Sequence, residues 1–344
     1  MKSIQCLFAA LALLLAGCRQ PKHQLHLFIW SEYIDPAIIA SFEKQFDCKV
    51  SVDLYEDNES MIAKLAGGGD ALYDIVVPTD YAVASMIKRG LLAPLRHEKI
   101  PNLNNVDPRF ANLPFDPGNT YSAPYQWGTG GLYVRKPKDK PLDETWGLLF
   151  DPAKQLGPFL LVDEIRACFG AALKYRGHSL NSTNRQELLE ARDLLIDAKK
   201  RSLGFEGTVG AKNRVLAKGA VLGMVSNGDA SRGMKEDPET YYFVPKEGSD
   251  IWLDNLCIPA HAPDRDLAEK FINYILDARI GAQLSNFNQF ASPNQAALPF
   301  VNPADLKNPA IYPTPEIMRK LEFVRDLGEQ SKLYDELWTE VKAK

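Results

Sequence analysis

Between residues 25 and 131 the chain alternates short apolar runs with segments of helical spacing. "LHLFIW" (25–30) is strand-like, Pro36 to Phe46 is helix-like, "KVSVDLY" (49–55) is strand-like, Met61 to Leu65 continues a helix, and "DIVVP" (74–78) has the unbroken apolar character of a buried strand. Parallel strands need helical crossovers and are buried on both faces, so this βαβαβ order predicts a parallel sheet flanked by helices. Loops after the carboxyl ends of such strands are where ligands bind. Three of them carry aromatic and polar residues: "WSEY" (30–33), "PTDY" (78–81) and "PYQWGTGG" (124–131).

After Gly131 a second α/β unit is expected, with "FLLVDE" (159–164) as a strand, Ile165 to Tyr175 and Arg185 to Lys200 as helices, and "AVLGMVSNGD" (220–229) as strand plus turn. A helix is expected over Asp266 to Ser285, then an irregular Pro- and Asn-rich passage around 287–313. Residues Pro315 to Lys342 predict two helices, with Leu321, Val324 and Leu327, then Leu333, Leu337 and Val341, as core-facing stripes. The run "SDIWLDNLCIP" (249–259) sets a carboxylate inside an otherwise apolar strand. Side chains at i and i+2 share a face, so Trp252 stands beside Asp254. A buried anion without a partner is costly. Either Asp254 ends the strand and caps a turn with Asn255, or the chain supplies a pocket and a ligand supplies the positive charge.

The 344 residues suit two domains, and 45% hydrophobic with 24% charged residues describe a globular protein with a sizeable core. The formal net charge of -4, with no basic block, makes nucleic acid an unexpected partner. Lys2, the apolar stretch Ile4 to Leu15 and the small residues before Cys18 read as a secretory signal. The stretch is shorter than the roughly 20 residues that a spanning helix needs. Cys48, Cys168 and Cys257 remain beyond the leader; three cannot all pair, and one disulfide stays open.

Enzymatic chemistry finds no motif. Histidines 23, 26, 97, 178 and 261 are scattered, and His-Glu-x-x-His, Cys-x-x-Cys and Gly-x-Ser-x-Gly are absent. Gly67-Gly68-Gly69 follows a helix without the spacing or lysine of a phosphate loop, and reads as a helix C-terminal cap. No cofactor or metal is expected.

Taken in order, "IWSEYI", "YDIVVPTDY", "FDPGNTYSAPYQWGTGGLYV", "LGMVSNGDA", "YYFVPKEGSDIWLDNLCIPA" and "ASPNQAA" resemble the spermidine/putrescine-binding proteins, the solute-binding components of polyamine ABC importers. "LAGC" (15–18) similarly resembles a bacterial lipobox, which implies a mature chain starting at a lipidated Cys18. The resemblance implies an α/β, two-lobed periplasmic-binding-protein-like fold of class II type, each lobe a mostly parallel sheet flanked by helices, with ligand in the cleft between them. It further implies a signal peptide over 1–17, a lipidated tether over 18–24, a first lobe of 25–127 plus 254–299 and a second of 131–251 plus 301–344. Crossings are expected near Trp127 to Gly131, Asp254 and Phe300. Gly128, Gly130 and Gly131 then serve as a hinge or, on the plainer reading, a turn.

A polyamine needs carboxylates for its ammonium groups and aromatic walls for its methylenes. A charged hydrogen bond contributes about 1.5–3 kcal/mol and a cation over a ring about 0.5–2 kcal/mol. Two anchors with aromatic walls therefore reach about -8 kcal/mol, the micromolar range. The resemblance implies Asp254 as the principal ammonium anchor beside Trp252, with Trp30, Ser31 and Tyr33 on the first binding loop and Thr79 and Tyr81 on the second. Departures accompany it: Glu164 stands for a usual Asp, Ala167 for a second acid, Ser226 for a tryptophan, Phe290 for a tyrosine and Val324 for a polar contact. Asp229 matches an acidic position of the putrescine-preferring branch, or else caps the helix after "SNG". The expected partners are a polyamine, a permease with its ATPase, and a membrane reached through lipid on Cys18, the protein itself being a monomer. The alternative is a binding or sensing protein of the same fold for another small cationic solute.

Overall fold

A computed structural model describes residues 23–137 and 141–344. The leader and Cys18 lie outside the described residues, among which no helix is long and apolar enough to cross a membrane.

The first unit opens with β1 (His23–Trp30), α1 (Pro36–Phe46), β2 (Cys48–Tyr55), α2 (Asn58–Ala66), β3 (Ile75–Val76), α3 (Asp80–Lys88) and β4 (Leu92–Ala93). β1 pairs in parallel with both β2 and β3. Its alternate residues Leu25, Leu27 and Ile29 enter the largest core, while Phe28 joins a smaller cluster on the other face. Both faces are thus covered, which explains the continuous apolar run. Helix α1 starts where the Asp35 carboxylate accepts from Ala37 N at 2.8 Å and Pro36 takes the first turn. Helix α2 ends at Gly67, and Gly68 adopts a left-handed φ of 96°, so the three glycines form the expected cap.

β5 (Ser122–Arg135) is a continuous strand of 14 residues. It feeds the large core through Ala123, Tyr125 and Trp127, then a second core through Leu132 and Val134. The glycines at 128, 130 and 131 lie inside it, which overturns the turn reading. The second unit comprises β6 (Phe159–Val162), α4 (Ile165–Tyr175), α5 (Arg185–Arg201), β7 (Phe205–Glu206), α6 (Thr208–Leu216), β8 (Leu222–Ser226), α7 (Asn227–Glu236) and β9 (Thr240–Phe243); β6, α4, α5, β8 and β9 feed the second core, while α6 and α7 pack into a smaller cluster with Tyr133. β6 runs parallel to β7 and β8.

β10 (Ser249–Pro259) returns antiparallel to β5 and to β3, so the sheet is mixed where the two units meet rather than parallel throughout. The path β2-β1-β3-β10-β5-β8-β6-β7 makes one curled sheet, with β4 and β11 (Leu321–Phe323) on β10 and β9 on β5. This is the α/β two-lobed architecture expected from the resemblance.

The expected helix over 266–285 is two helices, α8 (Arg265–Ile275) and α9 (Ala278–Asn288), because the Asp277 carboxylate accepts from Arg279 N and starts a new helix. Of the two expected C-terminal helices only α10 (Ser331–Ala343) is long; Pro315–Met318 makes one turn and Leu321–Phe323 becomes β11, parallel to Ser249–Ile251. Ile311 packs into the first core, Ala310 meets Tyr133 and Val225, and Tyr334, Leu337 and Val341 complete the second core. Cys48, Cys168 and Cys257 are buried and free, so the disulfide left open by the sequence does not form.

Candidate functional site

Strands β1, β2, β3, β6, β7 and β8 all end at one cavity of about 720 Å³ between the two cores, and β10 passes along its wall. Trp30, Ser31, Tyr33, Thr79, Tyr81, Glu164, Asp229, Trp252, Asp254 and Phe290 line it together. Six loop ends and one strand converge because carboxyl ends of parallel strands open on the same edge.

Asp254 is the chemical centre. It lies mid-strand rather than at a strand end, which removes the turn-cap reading. It is 4% exposed, and its Oδ1 has no hydrogen-bond partner in the protein. The Tyr33 hydroxyl lies beside it, near enough to favour the carboxylate but without a well-formed hydrogen bond. Burial pushes the Asp254 carboxyl well above its usual range; the Tyr33 hydroxyl opposes this, and the charges of Asp80 and Glu164 add to it. Aromatic rings wall the group: Tyr33 meets Phe290 edge-on at 5.1 Å, and Phe290 meets Trp252 at 5.3 Å. Trp30 is fixed by its indole N–H, which donates to Val77 O at 2.9 Å.

The glycines of β5 have a physical reason. A Cβ on Gly128 would collide with the Trp252 ring and with Asn227, and one on Gly130 with the Asp250 carboxylate. The wall residues of β10 therefore lean over bare β5 backbone.

The second loop is held by residues the sequence reading did not select. Asn58 Nδ2 donates to Thr79 Oγ1 at 2.7 Å and to the Tyr81 hydroxyl at 3.1 Å, and that hydroxyl donates to Glu59 Oε1 at 3.0 Å. The signal was present in "EDNE" (56–59), an acidic run directly after β2. Ser31 donates to Glu56 from the same run.

Further carboxylates enter the wall. Asp80 accepts from Tyr81 N and Leu253 N, yet burial still raises it to about 7. Burial raises Glu164 to about 8, with Glu59 and Asp250 adding to it and Arg166 opposing. Asp250, also pushed up by burial, accepts from the Ser249 hydroxyl at 3.0 Å. Arg166 also lines the cavity, its guanidinium held by Arg325 O and Asn181 Oδ1 and lying 5.8 Å from the Tyr81 ring.

Asp229 lies within the first turn of α7, whose N-cap is Ser226, so the capping reading does not hold. Its carboxylate pairs with Arg232 at 2.6 Å and accepts from Thr208. Arg232 in turn reaches Glu32 at 2.7 Å, which also pairs with Lys212 at 3.2 Å. Ala167, Ser226 and Val324 line the cavity without adding a charge. Among the described residues no cluster of metal-ligating side chains occurs.

A family described as bacterial extracellular solute-binding protein matches residues 37–314. The spermidine/putrescine-binding periplasmic protein of Escherichia coli is 34% identical, over 93% of this chain and 91% of the relative. The putrescine/cadaverine-binding protein of Pseudomonas aeruginosa is 34% identical, over 96% and 97%. A solved structure from Listeria monocytogenes, provisionally described as a spermidine/putrescine ABC transporter, superposes with a TM-score of 0.87 at 36% identity, covering 93% of this chain and 98% of that one. With its ligand-sized cavity at the strand ends between two cores, this chain belongs to the bacterial extracellular solute-binding proteins, on the spermidine/putrescine-binding branch of that family.

Proposed function

We propose that this protein captures a polyamine and delivers it to the permease of an ABC importer, without catalysing a reaction. The observation that carries this reading is the buried, unpartnered Asp254 oxygen between Tyr33, Trp252 and Phe290. A buried carboxylate with no lysine or arginine of its own is stable as an anion only when a cation arrives from outside. Trp30, Ser31, Thr79 and Tyr81 supply walls and hydroxyls, and Glu164 offers a second anchor. Asp229 lines the cavity but is already paired with Arg232, so it offers no free charge to an ammonium group. The two lobes of the proposal are 25–127 plus 254–299 and 131–251 plus 301–344, with the ligand between them, save that Ile251 and Ile311 pack into the first core and go with the first lobe.

Calorimetric titration with putrescine, spermidine, spermine and basic amino acids tests the reading. A polyamine is expected to bind at micromolar affinity or tighter, and at a hundredfold excess over Kd to stabilise the fold by about 2.7 kcal/mol. Asp254→Asn is expected to lower affinity by about 2 kcal/mol without unfolding the protein, because the ammonium loses its countercharge. Unchanged affinity in that variant, or tighter binding of a basic amino acid than of any polyamine, overturns the assignment in favour of another cationic solute.

The proposal places the mature chain outside the cytoplasmic membrane, in the periplasm or at the cell surface, tethered through lipid on Cys18. Expression of Cys18→Ala should move the protein from the membrane fraction to the soluble one; retention in membranes argues against the tether.

A further inference from the structure

Asp250, Trp252 and Asp254 occupy alternate positions of β10, and all three line the cavity. Ile251 and Leu253, between them, enter the first core. One strand face thus presents carboxylate, indole, carboxylate in a row, before the register irregularity after Asp254 ends the alternation. At about 3.3 Å per residue, the two carboxylate-bearing positions stand about 13 Å apart.

The row is kept open by its neighbours. Gly128 and Gly130 on β5 leave room for the Trp252 ring and the Asp250 carboxylate. Asp250 has no lysine or arginine partner within ion-pair distance among the described residues; its carboxylate is held by the Ser249 hydroxyl at 3.0 Å and by the backbone N–H groups of Gly130 and of Asp250 itself. At the other end the Asp254 oxygen is unpartnered in a side chain that is 4% exposed. The groups facing Asp250 from other elements are Glu164, which feels its charge, and Asp80. The cation in this wall, Arg166, is engaged by Arg325 O and Asn181 Oδ1.

We propose that Asp250 is a further ammonium-binding carboxylate, and that the strand it shares with Asp254 selects an elongated polyamine over a short diamine. The inference rests on the polyamine reading above and adds a length rule to it. With bonds of about 1.5 Å at tetrahedral angles, the five bonds between the amines of a four-carbon diamine advance about 6 Å, and the nine bonds between the terminal amines of spermidine about 11 Å. The short chain lies over Trp252 and satisfies one carboxylate. The long one crosses the indole and reaches both, so each terminal ammonium finds a desolvated anion.

The test uses the whole mature protein and a series of α,ω-diaminoalkanes with four to ten methylenes, alongside putrescine and spermidine, titrated into wild type and Asp250→Asn. In wild type, spermidine and the eight-methylene diamine are expected to bind at least tenfold tighter than putrescine. Asp250→Asn, which keeps an oxygen toward Ser249, should weaken these long ligands about tenfold and change putrescine less than twofold. Equal weakening of short and long ligands, or no weakening of long ones, overturns the length rule. So does a wild-type optimum at four methylenes, a result that needs no variant to fold. Failure of every amine to bind wild type instead refutes the polyamine reading itself.

Discussion

At the scale of single residues the cavity is a cluster of acids held away from water. Unfolded, Asp80 and Glu164 ionise near the ordinary carboxylate values of 3.8 and 4.5, whereas in the fold they keep protons up to about 7 and about 8. Across that window the unfolded chain binds fewer protons, so these two groups contribute stability that is fully present below about pH 4 and lost as pH rises to about 8. A polyamine reverses the sign, because alkylammonium groups resemble lysine and stay charged to about pH 10 while the carboxyls must ionise to pair with them. The expected outcome is a Kd that tightens between pH 6 and pH 8, and a spermidine-induced rise in melting temperature that is larger at pH 8. Calorimetry in buffers of different ionisation enthalpy should also register proton release on binding. An affinity independent of pH over this range would contradict the protonated state of the empty site.

At the scale of elements, the decisive pair is β5 with β10. β5 carries the chain from one core to the other, and β10 lays Trp252 and Asp250 across its glycines. Gly128→Ala is therefore expected to destabilise the protein by about 1–3 kcal/mol, the range for overpacking a filled site, and to weaken polyamine binding by displacing the Trp252 ring. Chemical denaturation and a spermidine titration of the same variant check both effects; an unchanged denaturation midpoint would show that the ring moves aside freely. The strand was legible as a strand, and its alternate face as Trp252 with Asp254. Asp250 lies inside the strand as read over 249–259, but nothing local distinguishes it from a solvated surface acid, and only the fold places it on the cavity with Trp252 and Asp254. β11 itself reads as helix in isolation: Leu321 and Val324 have helical spacing, and pairing with β10 overrides it.

For the whole molecule, the contacts that matter cross the cleft. Glu32, between the cavity residues Ser31 and Tyr33, holds a left-handed φ of 51° and pairs with both Lys212 and Arg232 from the second unit. A non-glycine residue in that conformation is strained, and such strain persists where surrounding contacts over-determine it. Glu32→Gln should loosen these links, so that small-angle scattering of the ligand-free protein gives a larger radius of gyration and every polyamine binds more weakly by a similar factor. That uniform loss distinguishes it from Asp250→Asn, whose effect is confined to long ligands. A radius equal to that of wild type would remove the link from any role in closure.

The sequence alone determined the two α/β units, the strand-end loops, and Trp252 beside Asp254 on one strand face, because strand alternation and βαβ order are local properties that survive without a partner chain segment. Only the tertiary structure decided that Asp229 is claimed by Arg232, that Asn58 and Glu59 brace Thr79 and Tyr81, and that Asp80, Asp250, Glu164 and Asp254 share one desolvated wall. Those outcomes depend on which residues meet across sequence separations that no local period encodes, and on burial, which sets whether an acid is a solvated surface charge or an empty seat for a cation.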